Sequence, residues 1–243
     1  FSRSDKKILI EQGGSRSGKT FNLLIWIIFD YCANNSNTII TICRKTFPSL
    51  RGTVMRDFLD ILKHYELYSE KDHNKSNSEY YLNNNTVEFI SLDQPAKIRG
   101  RKRNLLFINE ANELDYEDWQ QLIFRTDEKI ILDFNPSDEY HWIYDKVIPR
   151  QDADFNITTY LDNSFLSDSI KEEIERLKYT DEQYWQIYGL GVKGISKSTI
   201  FSYVEVNQIP EDQMDFEFVI VDKIGEDLRG IPVSNVILDE EGK

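Results

Sequence analysis

Residues 8–20, Ile-Leu-Ile-Glu-Gln-Gly-Gly-Ser-Arg-Ser-Gly-Lys-Thr, constrain this chain more than any other stretch. Gly13, Gly18, Lys19 and Thr20 fit G-x-x-x-x-G-K-[ST], the P-loop. A loop of small residues turns its backbone N–H groups inward and makes a nest for phosphate oxygens. Gly13, Gly14, Ser15, Arg16, Ser17 and Gly18 are therefore the candidate phosphate cradle. Lys19 is spaced to reach the β- and γ-phosphates, and the Thr20 hydroxyl to ligate Mg²⁺. The context agrees. A short apolar strand (Ile8, Leu9, Ile10) precedes the loop, and a strongly apolar helix from about Thr20 to Ala33 follows it. That helix aims its positive N-terminus at the same phosphates. ATP and Mg²⁺ are the expected cofactors. Gln12, just before the loop, is a candidate adenine contact.

Composition excludes several classes. Net charge is −13, which argues against a surface that coats nucleic acid, although a local basic patch is compatible with it. Hydrophobic residues at 40% describe a globular chain rather than a disordered one. Cys32 and Cys43 lie in apolar stretches and read as core residues, not as a disulfide. His64, His73 and His141 are scattered and offer no metal-site spacing. The longest apolar run, after the P-loop, is too short and too broken by Asn22 and Asp30 to span a bilayer.

Residues 38–43 (Thr-Ile-Ile-Thr-Ile-Cys) predict a buried strand, so strand, helix and strand form a βαβ unit and a mostly parallel sheet. Pro48 opens a helix behind Thr46, with Leu50, Val54, Phe58, Leu59 and Leu62 on its apolar face. Arg44, Lys45, Arg51 and Arg56 cluster at its entry, either as a solvated face or as ligand-directed arginines at a strand's C-terminal end. Residues 66–78 read as a loop. Glu79–Leu82 and Thr86–Ser91 read as a hairpin around an Asn-rich turn. Residues 97–103 (Lys-Ile-Arg-Gly-Arg-Lys-Arg) are the most basic stretch, suited either to phosphate or to solvent.

Leu105-Leu106-Phe107-Ile108-Asn109-Glu110 is the second strong signal. An apolar strand ending in an acidic pair is the Walker B form. Its first residue helps hold Mg²⁺, and a following glutamate activates water. Here the first position is Asn109, which can bond a metal-bound water but brings no charge. Glu110 keeps the place of the general base. A helix capped by Asp115 follows, then a strand, Ile130-Ile131-Leu132, ending in Asp133-Phe134-Asn135-Pro136. Asn135, just after a strand beside Walker B, is placed to sense the γ-phosphate; Asn-Pro is also an ordinary turn initiator. The sum is an α/β P-loop NTPase of ASCE type, a mostly parallel sheet flanked by helices.

Gly-Gly-Ser-Arg-Ser-Gly-Lys-Thr, Cys-Arg-Lys-Thr, Phe-Ile-Asn-Glu-Ala-Asn-Glu-Leu and Phe-Asn-Pro-Ser-Asp-Glu-Tyr-His-Trp-Ile-Tyr occur in that order. The ordered set resembles the ATPase domain of the large terminase subunit of tailed bacteriophages, the motor that packages DNA into procapsids. Residues 158–166 (Thr-Thr-Tyr-Leu-Asp-Asn-Ser-Phe-Leu) and 184–191 extend the match, which covers about residues 8–205. The resemblance implies an ATPase coupled to translocation of double-stranded DNA. Its implied partners are the portal and procapsid, the small terminase subunit and further copies in a ring, in the cytoplasm of an infected bacterium. It implies a phosphate-sensing role for Arg16, a coupling role for Asp133–Pro136, and an arginine acting in trans, with Arg44, Arg51, Arg99 and Arg101 all open.

Ser167 and Thr180 are expected to cap two helices that resemble the family's small helical lid subdomain. Residues 199–206 look strand-like, and 208–213 read as a linker. The expected organisation is an ATPase core at 1–160, a lid and linker at 161–207, and an unassigned tail at 208–243. The family continues into a nuclease domain. Residues 216–222 can be its first strand, but residues 223–243 are too few for that fold, so no nuclease activity is expected of this chain. Two rival readings stay open: another nucleic-acid-stimulated P-loop ATPase or helicase, and a nucleotide-binding interaction module without turnover.

Overall fold

Continuously apolar strands belong where both faces of a sheet are covered, and those of this chain lie in the middle of one. The computed structural model describes residues 4–93, 102–138 and 140–193. Its strands are β1 (Ile8–Gly13), β2 (Ile39–Arg44), β3 (His73–Asn74), β4 (Glu79–Leu82), β5 (Asn85–Ser91), β6 (Arg103–Ile108), β7 (Thr126–Phe134) and β8 (Ala153–Thr158). They form one sheet in the order β3-β4-β5-β2-β6-β7-β1-β8. The pairs from β5 to β8 are parallel, and the β3-β4-β5 edge is antiparallel. Strand β7 is inserted between the P-loop strand and the Walker B strand, with Ile10 and Ile108 both level with Leu132. This is the sheet expected of an ASCE-type P-loop NTPase.

Helices cover both faces. The first, α1 (Lys19–Trp26), runs on through a π-helical turn at Ile27–Tyr31 and ends at Asn34. Next come α2 (Phe47–Gly52), α3 (Val54–His64), α4 (Tyr116–Ile123), α5 (Asp168–Thr180) and α6 (Glu182–Tyr188). Successive strand residues point to opposite faces, and the core divides accordingly. Leu9, Ile40, Ile42, Leu105, Phe107 and Ile131 pack under α1, α2 and α3. Ile8, Ile10, Leu106, Ile108, Ile130 and Leu132 pack on the other face, against Trp119, Leu122, Ile143 and Val147. Truncating one such side chain costs about 2–5 kcal/mol. An exposed ion pair such as Arg150–Asp152 contributes about 0–1 kcal/mol, so the two apolar layers hold this fold.

Several local expectations change. The helix behind Pro48 is two helices, broken at Thr53 (φ −125°, ψ −101°), whose hydroxyl bonds back to Ser49 O at 2.7 Å. Thr180 is the last residue of α5 and its hydroxyl bonds back to Arg176 O; Asp181 caps α6 by accepting from Tyr184 N at 3.1 Å. Ser167 and Asp115 stand at N-cap positions without capping bonds. The Ser167 hydroxyl meets Ser169, and Asp115 is drawn to Lys45 at 2.7 Å. Strand β8 and the helical turn Ile143–Val147 go beyond the elements that the sequence predicts. The sequence of β8 (Ala-Asp-Phe-Asn-Ile-Thr) alternates apolar and polar residues at the sheet edge, with Ala153 and Phe155 packed on the core. Residues 97–101 of the basic stretch, with Arg99 and Arg101, lie outside the described residues, as do 199–243 with the expected strands, linker and tail.

Candidate active site

The loop between β1 and α1 is held from outside by the edge strand. Gly14 N donates to Thr158 O at 3.1 Å, the Thr158 hydroxyl donates to Ser17 Oγ at 3.3 Å, and Asn163 Nδ2 donates to Arg16 O at 2.8 Å. Gly18 takes a left-handed φ of 83° just before the helix starts, a conformation open to glycine without a Cβ penalty. Arg16 adopts φ 66° with its side chain exposed at the crest of the loop. A non-glycine residue there costs about 1–2 kcal/mol, and the bond from Asn163 helps hold it.

Three neighbouring parallel strands deliver the other groups. Lys19 is buried. Its ammonium donates to Asn135 Oδ1 at 2.6 Å and to the carbonyls of Gly14 and Gly13 at 3.3 and 3.4 Å. The Thr20 hydroxyl donates to Asp133 Oδ2 at 2.5 Å. Asp133, wholly buried on β7, also accepts from Asn109 Nδ2 (2.9 Å to Oδ1, 3.2 Å to Oδ2) and from the Glu110 N–H at 2.9 Å. A carboxylate only accepts, so Asn109 presents its NH₂ to Asp133. The amide expected to face a metal-bound water is occupied, on that side, in holding a neighbouring acid.

Glu110 sits at φ 53°, ψ 57°, a left-handed conformation fixed by its N–H bond to Asp133. Such strain is a feature of functional sites. Burial and then the Asp133 charge raise its carboxyl above the ordinary value, against the pull of Lys19 and Arg44. Among the described residues its carboxylate makes no hydrogen bond, which leaves it free to take one from water. Arg44 stands beside it at the end of β2, gripped by Glu113 (2.7 and 3.1 Å) and by the Thr53 hydroxyl at 2.9 Å. Of the arginines considered for action in trans, Arg44 is thus anchored within its own site, and Arg51 is exposed on α2. Arg51 borders a separate cleft of about 670 Å³ with Lys63, His73 and Lys75. Lys63 and Lys75 there are paired with Asp60 and Glu70.

Gln12, the candidate adenine contact, lies at the start of the loop beside the segment after α6. It is buried, and its amide donates to Gly191 O at 2.7 Å. The segment after α6 lies against the P-loop at this point. A methyl group at Gly14 would meet the carbonyl oxygens of Gly189 and, 2.5 Å away, of Tyr188. Gly14→Ala is therefore expected to lower stability by about 1–3 kcal/mol and to expose residues 188–191. Thermal melting and limited proteolysis check it. A melting temperature within a degree of wild type would mean that this contact is not tight.

Asp133 is the site residue that sequence reasoning does not single out as a ligand. Its signal is present: an acid inside Ile-Ile-Leu-Asp-Phe, a run destined for a sheet centre. A buried charge there needs partners, and the partners come from two other segments. No group of three or more Asp, Glu, His or Cys that could hold a metal occurs among the described residues. Nor is any helix among them long and apolar enough to cross a membrane.

Comparison with known proteins places the chain in a family. The family model described as phage terminase large subunit matches residues 5–192. The PBSX phage terminase large subunit of Bacillus subtilis (strain 168) is 22% identical over 83% of this chain and 52% of its own length. The large terminase of a thermophilic bacteriophage superposes with a TM-score of 0.65 at 21% identity, over 77% of this chain and 48% of that one. The same protein in complex with ADP gives 0.64 at 24% identity, over the same shares. The large terminase ATPase domain of a Thermus phage gives 0.59 at 14% identity, over 78% of this chain and 90% of that one. The chain spans about half the length of the curated relative it matches.

Proposed function

The chain belongs to the phage terminase large subunit family, and from that premise we propose that it is the motor domain that hydrolyses ATP to drive double-stranded DNA into a procapsid. One observation carries the reading. Lys19, Thr20, Glu110, Asp133 and Asn135 meet at the C-terminal ends of three adjacent parallel strands, where ligands bind in open α/β sheets. The loop N–H groups of Ser15, Arg16 and Gly18 and the Lys19 ammonium bind the β- and γ-phosphates. Lys19 then exchanges its carbonyl partners for phosphate oxygens. Asn135, already on Lys19, reports the state of the γ-phosphate along β7. Glu110 takes the proton of the attacking water, and Arg16 at the loop crest offers its guanidinium to phosphate.

Mg²⁺ belongs to this reading as the nucleotide's counter-ion. The donors fit it: a hydroxyl and a carboxylate, hard oxygens side by side, with other positions left to phosphates and water. Bound there, Mg²⁺ offsets negative charge on the phosphate oxygens. The helix pair α5–α6 serves as the lid, with 161–207 as lid and linker after a core at 1–160. DNA, the portal and small subunit, and neighbouring copies in a ring are the partners, in the cytoplasm of the infected host. With a net charge of −13, DNA is gripped through local patches or by the assembled ring, and affinity of a single copy is weak and salt-sensitive.

The test is ATP turnover against protein concentration, with and without linear duplex DNA. Specific activity is expected to climb with concentration and with DNA, and no duplex unwinding is expected. Unwinding would favour the helicase reading. Binding without turnover, even with procapsids and DNA supplied, would favour the interaction module. That last reading leans on Asn109 lacking a charge, and Asp133 weakens it by placing a carboxylate at the same spot.

A further inference from the structure

The Asn109–Asp133 pair shows an exchange of roles. In the Walker B form the first acidic residue brings the negative charge beside the P-loop hydroxyl. Here that strand end carries a neutral amide, and the carboxylate nearest the Thr20 hydroxyl is Asp133, at 2.5 Å, on the next strand. The two residues are compatible only in complementary chemistry. Asn109 donates to both oxygens of Asp133, at 2.9 and 3.2 Å. An aspartate at 109 would put two carboxylates within about 3 Å, an arrangement that cannot hold two negative charges. One charge serves the site, and it has moved one strand along.

We infer that Asp133, not the residue at the Walker B position, is the carboxylate that holds the divalent cation of the bound nucleotide together with Thr20. Asn109 is its positioning residue. The Asn109 amide and the Glu110 N–H fix the carboxylate while Oδ2 faces Thr20. Because Glu110 N is bonded to the same carboxylate, the cation site and the proposed base are set by one side chain. A single carboxylate plus a hydroxyl is a small donor set, suited to a cation that arrives already coordinated by phosphates and water. The inference rests on the nucleotide-binding reading above.

The experiment measures ADP and ATPγS affinity by calorimetry, in Mg²⁺ and in EDTA, for wild type, Asp133→Asn and the exchange double variant Asn109→Asp/Asp133→Asn. Asp133→Asn is expected to lose at least about tenfold of the Mg²⁺-dependent gain, the ratio of its affinities in Mg²⁺ and in EDTA, one metal contact's worth. The double variant returns the charge to position 109 with a donor opposite it, and is expected to recover most of the gain. Retention of the full gain by Asp133→Asn overturns the inference. Nucleotide binding by no protein, wild type included, overturns it together with the function it rests on. If Asp133→Asn does not fold, a crystal structure of wild type with Mg²⁺ and ATPγS decides. A cation within about 4.5 Å of the Asp133 carboxylate, direct or through one water, supports the inference. A cation bound at Asn109 and beyond that distance overturns it.

Discussion

Glu110→Gln is expected to bind ATP as wild type does and to lose turnover by about 10²–10⁴-fold, the usual contribution of a positioned general base. Glutamine keeps the length of the side chain and the N–H bond to Asp133, so the loop geometry is preserved and only proton acceptance is removed. Single-turnover hydrolysis beside a binding measurement separates the two. Full activity in this variant would remove Glu110 from the chemistry. The raised carboxyl pKa adds a pH signature. The carboxylate form is needed, so activity falls as pH drops through the folded pKa, above the range where free glutamate titrates, about 4.3. The stability sign is opposite. A group whose folded pKa is raised stabilises the fold below its unfolded pKa, and that contribution is lost as pH rises through the folded value. Ionised Glu110 therefore costs stability at neutral pH. Glu110→Gln should melt above wild type at pH 7, with the gap closing below about pH 4.

Lys19→Ala is expected to abolish useful nucleotide affinity. Removing one partner of a desolvated charge pair costs about 2–5 kcal/mol, which is roughly 30- to several-thousand-fold in Kd. The fold is expected to survive, because the three bonds of Lys19 go to Asn135 and to carbonyls at the mouth of the site rather than into the core. Calorimetric titration with ADP reads the loss, and a melting curve controls for folding. Binding within threefold of wild type would mean that phosphate sits elsewhere. Lys19→Arg should fare little better, because a planar fork cannot occupy the place of a compact ammonium hemmed by two carbonyls.

The parts of this protein legible in sequence are those written in consecutive residues. The P-loop is one: its glycines, lysine and threonine lie within a short run, so their spacing already states their geometry. The strands β1, β2, β6 and the middle of β7 are others, because burial on both faces demands an apolar residue at every step. Glu110 is identifiable because it follows such a strand directly. The caps are less legible. Thr180 and Asp181 are adjacent and both suited to the role, and only backbone conformation chose the aspartate. Strand β8 alternates Ala153, Phe155 and Ile157 with Asp154, Asn156 and Thr158, a short half-buried pattern that lacks the continuous apolar run by which the central strands stand out.

What tertiary structure alone decided is which distant residues touch. Asp133 lies 24 positions from Asn109 and 113 from Thr20, and nothing local to any of them announces the meeting. It follows from β7 lying between β1 and β6, a strand order that depends on how crossovers pack rather than on any one segment. Gln12 makes the same point. Its place beside the loop suggests a base contact, and the return of residue 191 to the sheet gives it another partner. The sequence by itself determined the chemistry available, a phosphate loop and an acid after an apolar strand. The packing of parallel strands determined which carboxylate stands at the loop, because hydrogen-bonded neighbours in a sheet are chosen across the chain and not along it.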